Sequence, residues 1–167
     1  MLPKLPTSLP TIIPSPSIKL PKQPSIPVVK QPKDEPGWVS PSTRDITEFS
    51  LPKQKFGNMG YLAHSFGAGR YFNELQVGDK IARTDRQGRS DAKLHPKASY
   101  YKVKEVRRYQ ALEPENMNSP LLDLLTKETK SAAEVFDEIY GKNKVVFQTC
   151  LPKDGSSFWG RLFVIAE

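Results

Sequence analysis

The end of the chain, KVVFQTCLPKDGSSFWGRLFVIA at residues 144–166, carries the clearest information about the fold. Its two apolar runs, KVVFQT and RLFVIA, have the length and the β-branched and aromatic content of buried strands. Residues 151–160 lie between them and contain glycine, serine and lysine, which predicts a flexible loop. We therefore expect two closing strands, with Cys150 at the end of the first and Arg161 at the start of the second.

Three further strands are predicted upstream of these two. NMGYLA at 58–63 is typical of a short buried strand that runs into His64, and residues 79–84 follow a Gly-Asp turn. SYYKVKEV at 99–106 alternates with the period of two expected of a strand. Short strands around one helical segment favour an antiparallel or mixed β-barrel over a parallel α/β sheet.

A helical insertion is predicted at 119–140, between the late strands. Ser119 followed by proline is a favourable helix start, and Gly141 is a favourable stop. Apolar residues recur at helical spacing and predict one buried stripe. That stripe comprises Ala132, Val135, Phe136 and Ile139.

The first part of the chain is rich in proline. Ten of the 16 prolines fall within residues 1–36, where a long helix is excluded because proline lacks a backbone N–H and clashes with the preceding turn. We expect residues 1–15 to be a proline-rich tail or linker and residues 16–167 to form one domain. Residues 16–36 are predicted to contribute edge strands, since proline is tolerated at sheet edges.

Composition narrows the function classes. The net charge of +7 is spread along the chain without a dense basic patch, which argues against nucleic-acid binding and suits an anionic cell envelope. The single cysteine excludes an intramolecular disulfide. No run of about 18 apolar residues is present, so no membrane-spanning helix is predicted. No Cys/His spacing suggests a zinc site.

Three residues have a context that suits chemistry. His64, Cys150 and Arg161 each lie at a predicted strand end beside a loop, where a rigid scaffold can hold an active site. A thiolate nucleophile is favoured by a nearby histidine and a cation, and an oxyanion is stabilised by the fixed donors of a guanidinium. Taken singly, each also has a purely structural interpretation, such as a small buried cysteine or a solvated arginine.

The ordered set GYLAHS, YFNELQVGDKI, YYKV, VVFQTC and GRLFVIA resembles the sortases, which are bacterial cysteine transpeptidases. In that family a strand leads to a catalytic histidine, a Phe-x-x-Leu and Gly-Asp turn follow, and a Thr-Cys strand precedes an arginine-headed final strand. The resemblance covers most of residues 16–167. It implies an all-β fold, a closed β-barrel with the helical insertion at about 119–140.

The resemblance also implies roles for individual residues. Cys150 would attack a sorting-signal peptide to form a thioester acyl-enzyme, and His64 would protonate the leaving amine. Arg161 would hold the substrate or stabilise the oxyanion, and Thr149 would offer a hydroxyl or backbone contact to the substrate. An amine from a cell-wall precursor or a pilin subunit would then resolve the thioester. No cofactor is expected; calcium occurs in some members, but no acidic cluster predicts a site here.

The family implies an extracellular, cell-surface monomer with a membrane anchor, and we expect no anchor within these residues. Two alternatives stay open. A related thiol peptidase would act as a hydrolase, because water competes with the amine for the acyl-enzyme. A catalytically idle barrel would serve as an envelope module, with the proline-rich segment as a stalk.

Overall fold

The computed structural model describes residues 16–85 and 97–167. The predicted tail at 1–15 and most of the polar loop at 85–98 therefore lie outside the described residues. The elements in chain order are β1 (Ser17–Lys19), β2 (Ser25–Lys30), β3 (Ile46–Phe49), α1 (Ser50–Phe56), β4 (Met59–Leu62), α2 (Gly69–Phe72), β5 (Lys80–Asp85), β6 (Lys97–Ala111), β7 (Leu121–Asp123), β8 (Thr129–Lys130), α3 (Ala132–Lys142), β9 (Val145–Lys153) and β10 (Ser156–Ala166).

The sheet closes on itself into a barrel. The strands follow the order β10-β9-β4-β3-β2-β1-β5-β6, and β6 pairs with β10, which joins the two ends. Two pairs, β2–β3 and β4–β9, are parallel, and the others are antiparallel. The predicted mixed, closed β-barrel is confirmed. The β7–β8 hairpin extends from β6 outside the closed ring.

Alternation along the strands divides the apolar residues into two layers. Each barrel strand sends residues into an interior cluster, for example Tyr61 on β4, Phe147 on β9 and Leu162 on β10. The opposite faces of β9 and β10 carry Val146 and Phe163, which belong to a second cluster with α3. Residues next to an interior residue therefore face outward, and α3 covers part of that outer face.

The helical insertion begins later than the sequence predicts. Residues 121–130 form the β7–β8 hairpin, and the N-cap of α3 is Ser131, which makes a capping box with Glu134. Ser119 instead accepts a hydrogen bond from the Glu113 N–H and donates to the carbonyl of the following proline. The predicted stripe does pack inward: Val135 and Ile139 are buried, and Ala132 and Phe136 are half-buried.

The prediction of edge strands at 16–36 is wrong. Both β1 and β2 have hydrogen-bonded neighbours on two sides, because barrel closure leaves them no free edge. Pro27 is accommodated because the Val28 N–H bonds the Pro16 carbonyl at 2.6 Å. Hydrogen-bonded and non-bonded positions alternate in an antiparallel pair, so the missing N–H of Pro27 falls at a non-bonded position. The domain boundary at residue 16 stays a prediction.

The flexible loop predicted at 151–160 is also wrong. Strand β9 continues to Lys153, and a turn at Asp154 and Gly155, both with positive φ, leads directly into β10. Cys150 and Arg161 therefore lie within the paired part of one hairpin, a more rigid position than a loop border. Among the described residues, no helix is both long and apolar enough to cross a membrane.

Candidate active site

Three neighbouring strands bring the predicted site residues to one level of the barrel wall. Cys150 on β9 lies directly opposite Arg161 on β10. On its other side, β9 runs parallel to β4, and Leu62 lies beside Gln148. The pairing continues past the end of β4, because the Ala63 N–H donates a 3.3 Å hydrogen bond to the Gln148 carbonyl. Continued by two residues, the same register places His64 beside Cys150. By alternation all three lie on the outer face of the barrel.

A tight turn after β4 fixes the backbone of His64. Its carbonyl accepts hydrogen bonds from the N–H groups of Gly67 (2.9 Å) and Gly69 (3.1 Å), and its imidazole stacks on Phe66 with ring centroids 4.8 Å apart. A Cβ at Gly69 would lie 2.6 Å from the Ala63 carbonyl oxygen and 2.7 Å from that of His64. Only glycine allows this close approach, so the turn depends on it.

The Cys150 thiol experiences two opposing effects. Burial in the barrel wall raises its pKa, because a thiolate is poorly solvated there, and the positive charge of Arg161 lowers it. Burial is the larger effect, so the pKa lies above its ordinary value. The thiol is therefore predominantly protonated at neutral pH, and any nucleophilic role requires a base or cation to stabilise the thiolate.

Backbone carbonyls hold Arg161 in place. One terminal nitrogen, Nη1, donates to the carbonyls of Phe158 (2.8 Å) and Gly160 (3.1 Å), and Nη2 donates to that of Pro114 (3.4 Å). A guanidinium has five N–H donors, so the Nε–H and one Nη2–H remain available within the described part of the chain. Fixed in this way, Arg161 can offer a directed pair of donors to a developing negative charge.

Thr149 has a structural contact instead of the predicted substrate contact through its hydroxyl. Its side chain is buried and donates a 2.7 Å hydrogen bond to the Ala63 carbonyl. Alternation points this residue into the barrel, away from the face that carries Cys150. The hydroxyl thereby ties β9 to the end of β4, next to His64. A substrate contact through the Thr149 backbone stays a prediction.

A groove of about 500 Å³ lies on the outer face between α3, the loop before β7 and strands β9 and β10. Aromatic rings of Phe49, Phe136, Tyr140 and Phe163 form much of its wall. Its floor contains Arg161 and the residue two positions before Cys150 on the same face of β9. The groove has the size for a short peptide segment and leads toward the thiol.

The floor residue Gln148 was not predicted from sequence. Its side-chain oxygen accepts a 2.6 Å hydrogen bond from the hydroxyl of Tyr140 on α3, whose ring is fully buried. The Tyr140 pKa is strongly raised by burial, so this hydroxyl stays protonated and keeps donating. The Gln148 side chain also lines the groove. The period of two along β9 would have identified the position, since it shares a face with Cys150.

A second depression, of about 560 Å³, lies between β6 and the β7–β8 hairpin. It is lined by ion-paired side chains, including Arg107 and Glu138 at 2.7 Å, and contains none of the predicted site residues. We assign the site to the smaller groove because Arg161, which pairs with Cys150 across β9 and β10, lines it. Across residues 16–85 and 97–167, no cluster of three or more His, Cys, Asp or Glu side chains could hold a metal ion.

Comparison with known proteins identifies the fold. No protein-family model matches the chain, and no curated protein sequence matches it. Sortase A from Corynebacterium diphtheriae aligns at TM-score 0.50 and 17% identity, over 92% of this chain and 59% of that one. Its lid mutant aligns at TM-score 0.51 and 15% identity, over 91% and 68% of the two chains.

A Clostridium perfringens sortase D5 transpeptidase is similar at the same level, with TM-score 0.50 and 14% identity over 92% of this chain and 78% of that one. The chain spans between 59% and 67% of the lengths of the first three sortase structures it matches. It therefore has the sortase barrel fold, as the sequence resemblance implies.

Proposed function

We propose that the chain is a cysteine transpeptidase of the sortase type. One observation carries the proposal: the sheet register brings a histidine, a cysteine and an arginine to one level of the barrel wall, from three adjacent strands far apart in sequence. The three side chains share the outer face, and one of them, Arg161, lines a peptide-sized groove. The fold similarity to sortases supports the same assignment.

In the proposed reaction, the Cys150 thiolate attacks the carbonyl carbon of a peptide bond in a sorting signal and a carbon–sulfur bond forms. The carbon–nitrogen bond breaks, and the His64 imidazolium gives its proton to the leaving amine. An incoming amine then attacks the thioester, its proton passes to His64, and the sulfur leaves as thiolate. Arg161 donates to the oxyanion in both steps through its remaining N–H groups.

The substrate side of the proposal follows the resemblance. The groove receives the residues before the scissile bond, typically Leu-Pro-x-Thr of a Leu-Pro-x-Thr-Gly signal, and its aromatic wall suits apolar side chains. The acceptor is an amine of a cell-wall precursor or a pilin subunit. Such a reaction takes place at the cell surface, and by the same resemblance the enzyme acts as a monomer. Because the pKa of Cys150 is raised, we expect slow turnover at neutral pH.

The test is incubation with a library of fluorogenic sorting peptides, with and without an added amine, followed by mass spectrometry of the products. Ligated peptide in the presence of the amine supports a transpeptidase. Free acid as the sole product, with amine present, supports the hydrolytic thiol peptidase instead. Cys150→Ala should yield neither product, and Lys104→Ala, which changes an exposed residue on β6, serves as the control.

One observation favours the idle envelope module: burial raises the pKa of Cys150. Thiol labelling distinguishes the two functions. An active site requires Cys150 to react with iodoacetamide in the folded protein at alkaline pH, since a groove that admits a peptide also admits this small reagent. Modification that occurs only after unfolding would support the idle module.

A further inference from the structure

Asp45 carries a buried oxygen that nothing in the described chain satisfies. Its Oδ1 is inaccessible to solvent and has no hydrogen-bond partner among the residues that the structure describes. Leaving such an oxygen unpaired is unfavourable, and most buried polar atoms in folded proteins have a partner. An unpaired carboxylate oxygen next to a proposed active site therefore calls for a donor.

The sheet register places Asp45 opposite His64. Strands β3 and β4 are antiparallel, with Thr47 opposite Leu62. In an antiparallel pair, a step forward along one strand matches a step back along the other. Two residues after Leu62 is His64 and two residues before Thr47 is Asp45, so these two residues face each other. Adjacent strands lie about 4.8 Å apart. His64 thus lies between two neighbours, with Cys150 on the β9 side and Asp45 on the β3 side.

Loop packing supports this register beyond the paired strands. A Cβ at Gly67, in the turn that follows His64, would lie 2.8 Å from the Cα of Thr43 and 3.2 Å from its carbonyl oxygen. The segment before β3 and the turn after β4 are therefore in direct contact. The two segments do not separate where the formal strands end.

Alternation along β3 places Asp45 on the groove side. Phe49 packs on the rings of Phe136 and Tyr140 outside the barrel, and Asp45 shares the parity of Phe49. Glu48 has the opposite parity and pairs inside with Arg83 at 3.3 Å. Of the two carboxylates flanking this part of β3, only Asp45 is on the face that carries His64.

We propose that Asp45 is a positioning residue for His64, whose imidazolium donates one ring N–H to the buried Asp45 oxygen while the other ring nitrogen faces Cys150. This inference rests on the proposed function for its catalytic meaning. An imidazole has nitrogens on two sides, so a carboxylate on one side fixes which nitrogen serves the thiol and stabilises the charged ring. In this structure the ring stacks on Phe66, so the proposed pairing requires a rotation of the His64 side chain.

Other ionisable groups near His64 come from each adjoining element, and the test must separate their effects. They are Arg44 before β3, Arg70 on α2, Cys150 on β9 and Arg161 on β10. The cations lower the pKa of a nearby histidine, whereas a carboxylate raises it. Removing the Asp45 charge should therefore lower the His64 pKa, the opposite of what removing any one of the three cations would do.

The experiment is a pH titration of the histidine ring signals by NMR in the full chain. The chain has two histidines, and His95→Gln assigns the signals. Asp45→Asn keeps the shape of the side chain and should lower the His64 pKa by about one unit. Asp45→Glu should restore most of it, and Asp34→Asn, at an exposed turn, should leave it unchanged. An unchanged His64 pKa in folded Asp45→Asn overturns the proposal.

If Asp45→Asn does not fold, the proposal is tested by NMR of the His64 ring nitrogens in the wild-type chain. Its ring nitrogen shifts at acidic pH should show one N–H in a strong hydrogen bond, and two solvent-like nitrogens would overturn the pairing. With an active peptide, Asp45→Asn should also lower the acylation rate several-fold at neutral pH with little change in KM, since a lower His64 pKa leaves a smaller fraction of the ring as imidazolium.

The two ideas fail separately. If Asp45→Asn shifts the His64 pKa but the wild type forms no acyl-enzyme, the Asp45–His64 pairing stands and the proposed function is wrong. If the wild type forms an acyl-enzyme but Asp45→Asn does not shift the His64 pKa, the proposed function stands and the pairing is wrong.

Discussion

At Cys150, burial and the charge of Arg161 act on the same sulfur in opposite directions. Burial dominates, so the thiol is protonated at neutral pH and reacts as a minor thiolate population. The Arg161 guanidinium is held by three backbone carbonyls and cannot move freely to strengthen the pairing. The reactivity of the sulfur is thus set by a fixed charge, and its pH dependence should respond to changes in that charge.

Replacing Arg161 by alanine should move the alkylation of Cys150 to higher pH. The guanidinium lowers the thiol pKa, so its removal raises that pKa further, and the rate at pH 7 should fall several-fold. The measurement is the iodoacetamide rate between pH 6 and about 10. Lys104→Ala is the control. An unshifted profile for Arg161→Ala would show that the two side chains are not electrostatically coupled.

Gly69→Ala should destabilise the protein by roughly 1–3 kcal/mol, because the added methyl group meets Thr149 Oγ1 and two backbone oxygens. Chemical denaturation measures the loss. Gly37→Ala is a matched control, since a Cβ there has no neighbour closer than 3.7 Å. Equal stability of the two variants would mean that the turn after β4 relaxes without cost.

At the scale of elements, α3 closes the groove by packing on the outer face of β9 and β10. Ile139 is fully buried in this interface, whereas Phe136 is half-buried against the rings of Phe49, Phe56 and Tyr140. Glu138 adds hydrogen bonds from Lys130 and Arg107, which hold its pKa at about 2. The helix is therefore attached by its buried stripe, by the ion pairs of Glu138 and by the ion pair of Asp137 with Lys55 on α1.

Truncating the stripe should reveal this difference in burial. Ile139→Ala should cost about 3 kcal/mol of unfolding free energy, and Phe136→Ala about 2 kcal/mol because part of its ring already faces solvent. Thermal or urea unfolding gives both values. Ala133→Ser, at an exposed position on the same helix, is the control. A negligible effect of Ile139→Ala would show that α3 is not packed on the barrel.

The sequence predicts the strands of this molecule better than the segments between them. Apolar runs identify β4, β9 and β10, because a buried strand needs little beyond local composition. The hairpin at 121–130 escapes prediction because its leucines fit a helical period equally well. That Cys150 lies opposite Arg161 follows only from the register between β9 and β10, and that Asp45 lies opposite His64 follows only from the register between β3 and β4. No local sequence pattern contains this information.

At the scale of the whole molecule, eight strands close the barrel, and the described chain begins with the short strand β1 inside that closure. The preceding residues 1–15 contain prolines at positions 3, 6, 10 and 14, so no stretch longer than three residues is without one. Composition of this kind recovers little of the entropy that ordering costs. The barrel is thus expected to be stable without them.

A chain that lacks residues 1–15 should unfold cooperatively at the same midpoint as the full chain. Differential scanning calorimetry compares the two. Removal of residues 1–20 is the contrasting control, since it deletes β1, whose Ile18 is fully buried between β2 and β5. A lower midpoint for the shorter deletion would place residues 1–15 within the cooperative unit.

The most direct test of the account is the intact mass of the protein after incubation with a reactive sorting peptide. We expect a thioester adduct on Cys150 in the wild type, none in Cys150→Ala, and almost none in His64→Ala. Arg161→Lys should lose much of the adduct despite keeping its charge, because lysine lacks the planar fork. A second substitution should add little to the first, since the three residues act as a unit. Adduct yields that are equal in the wild type, His64→Ala and Arg161→Lys would contradict the shared site.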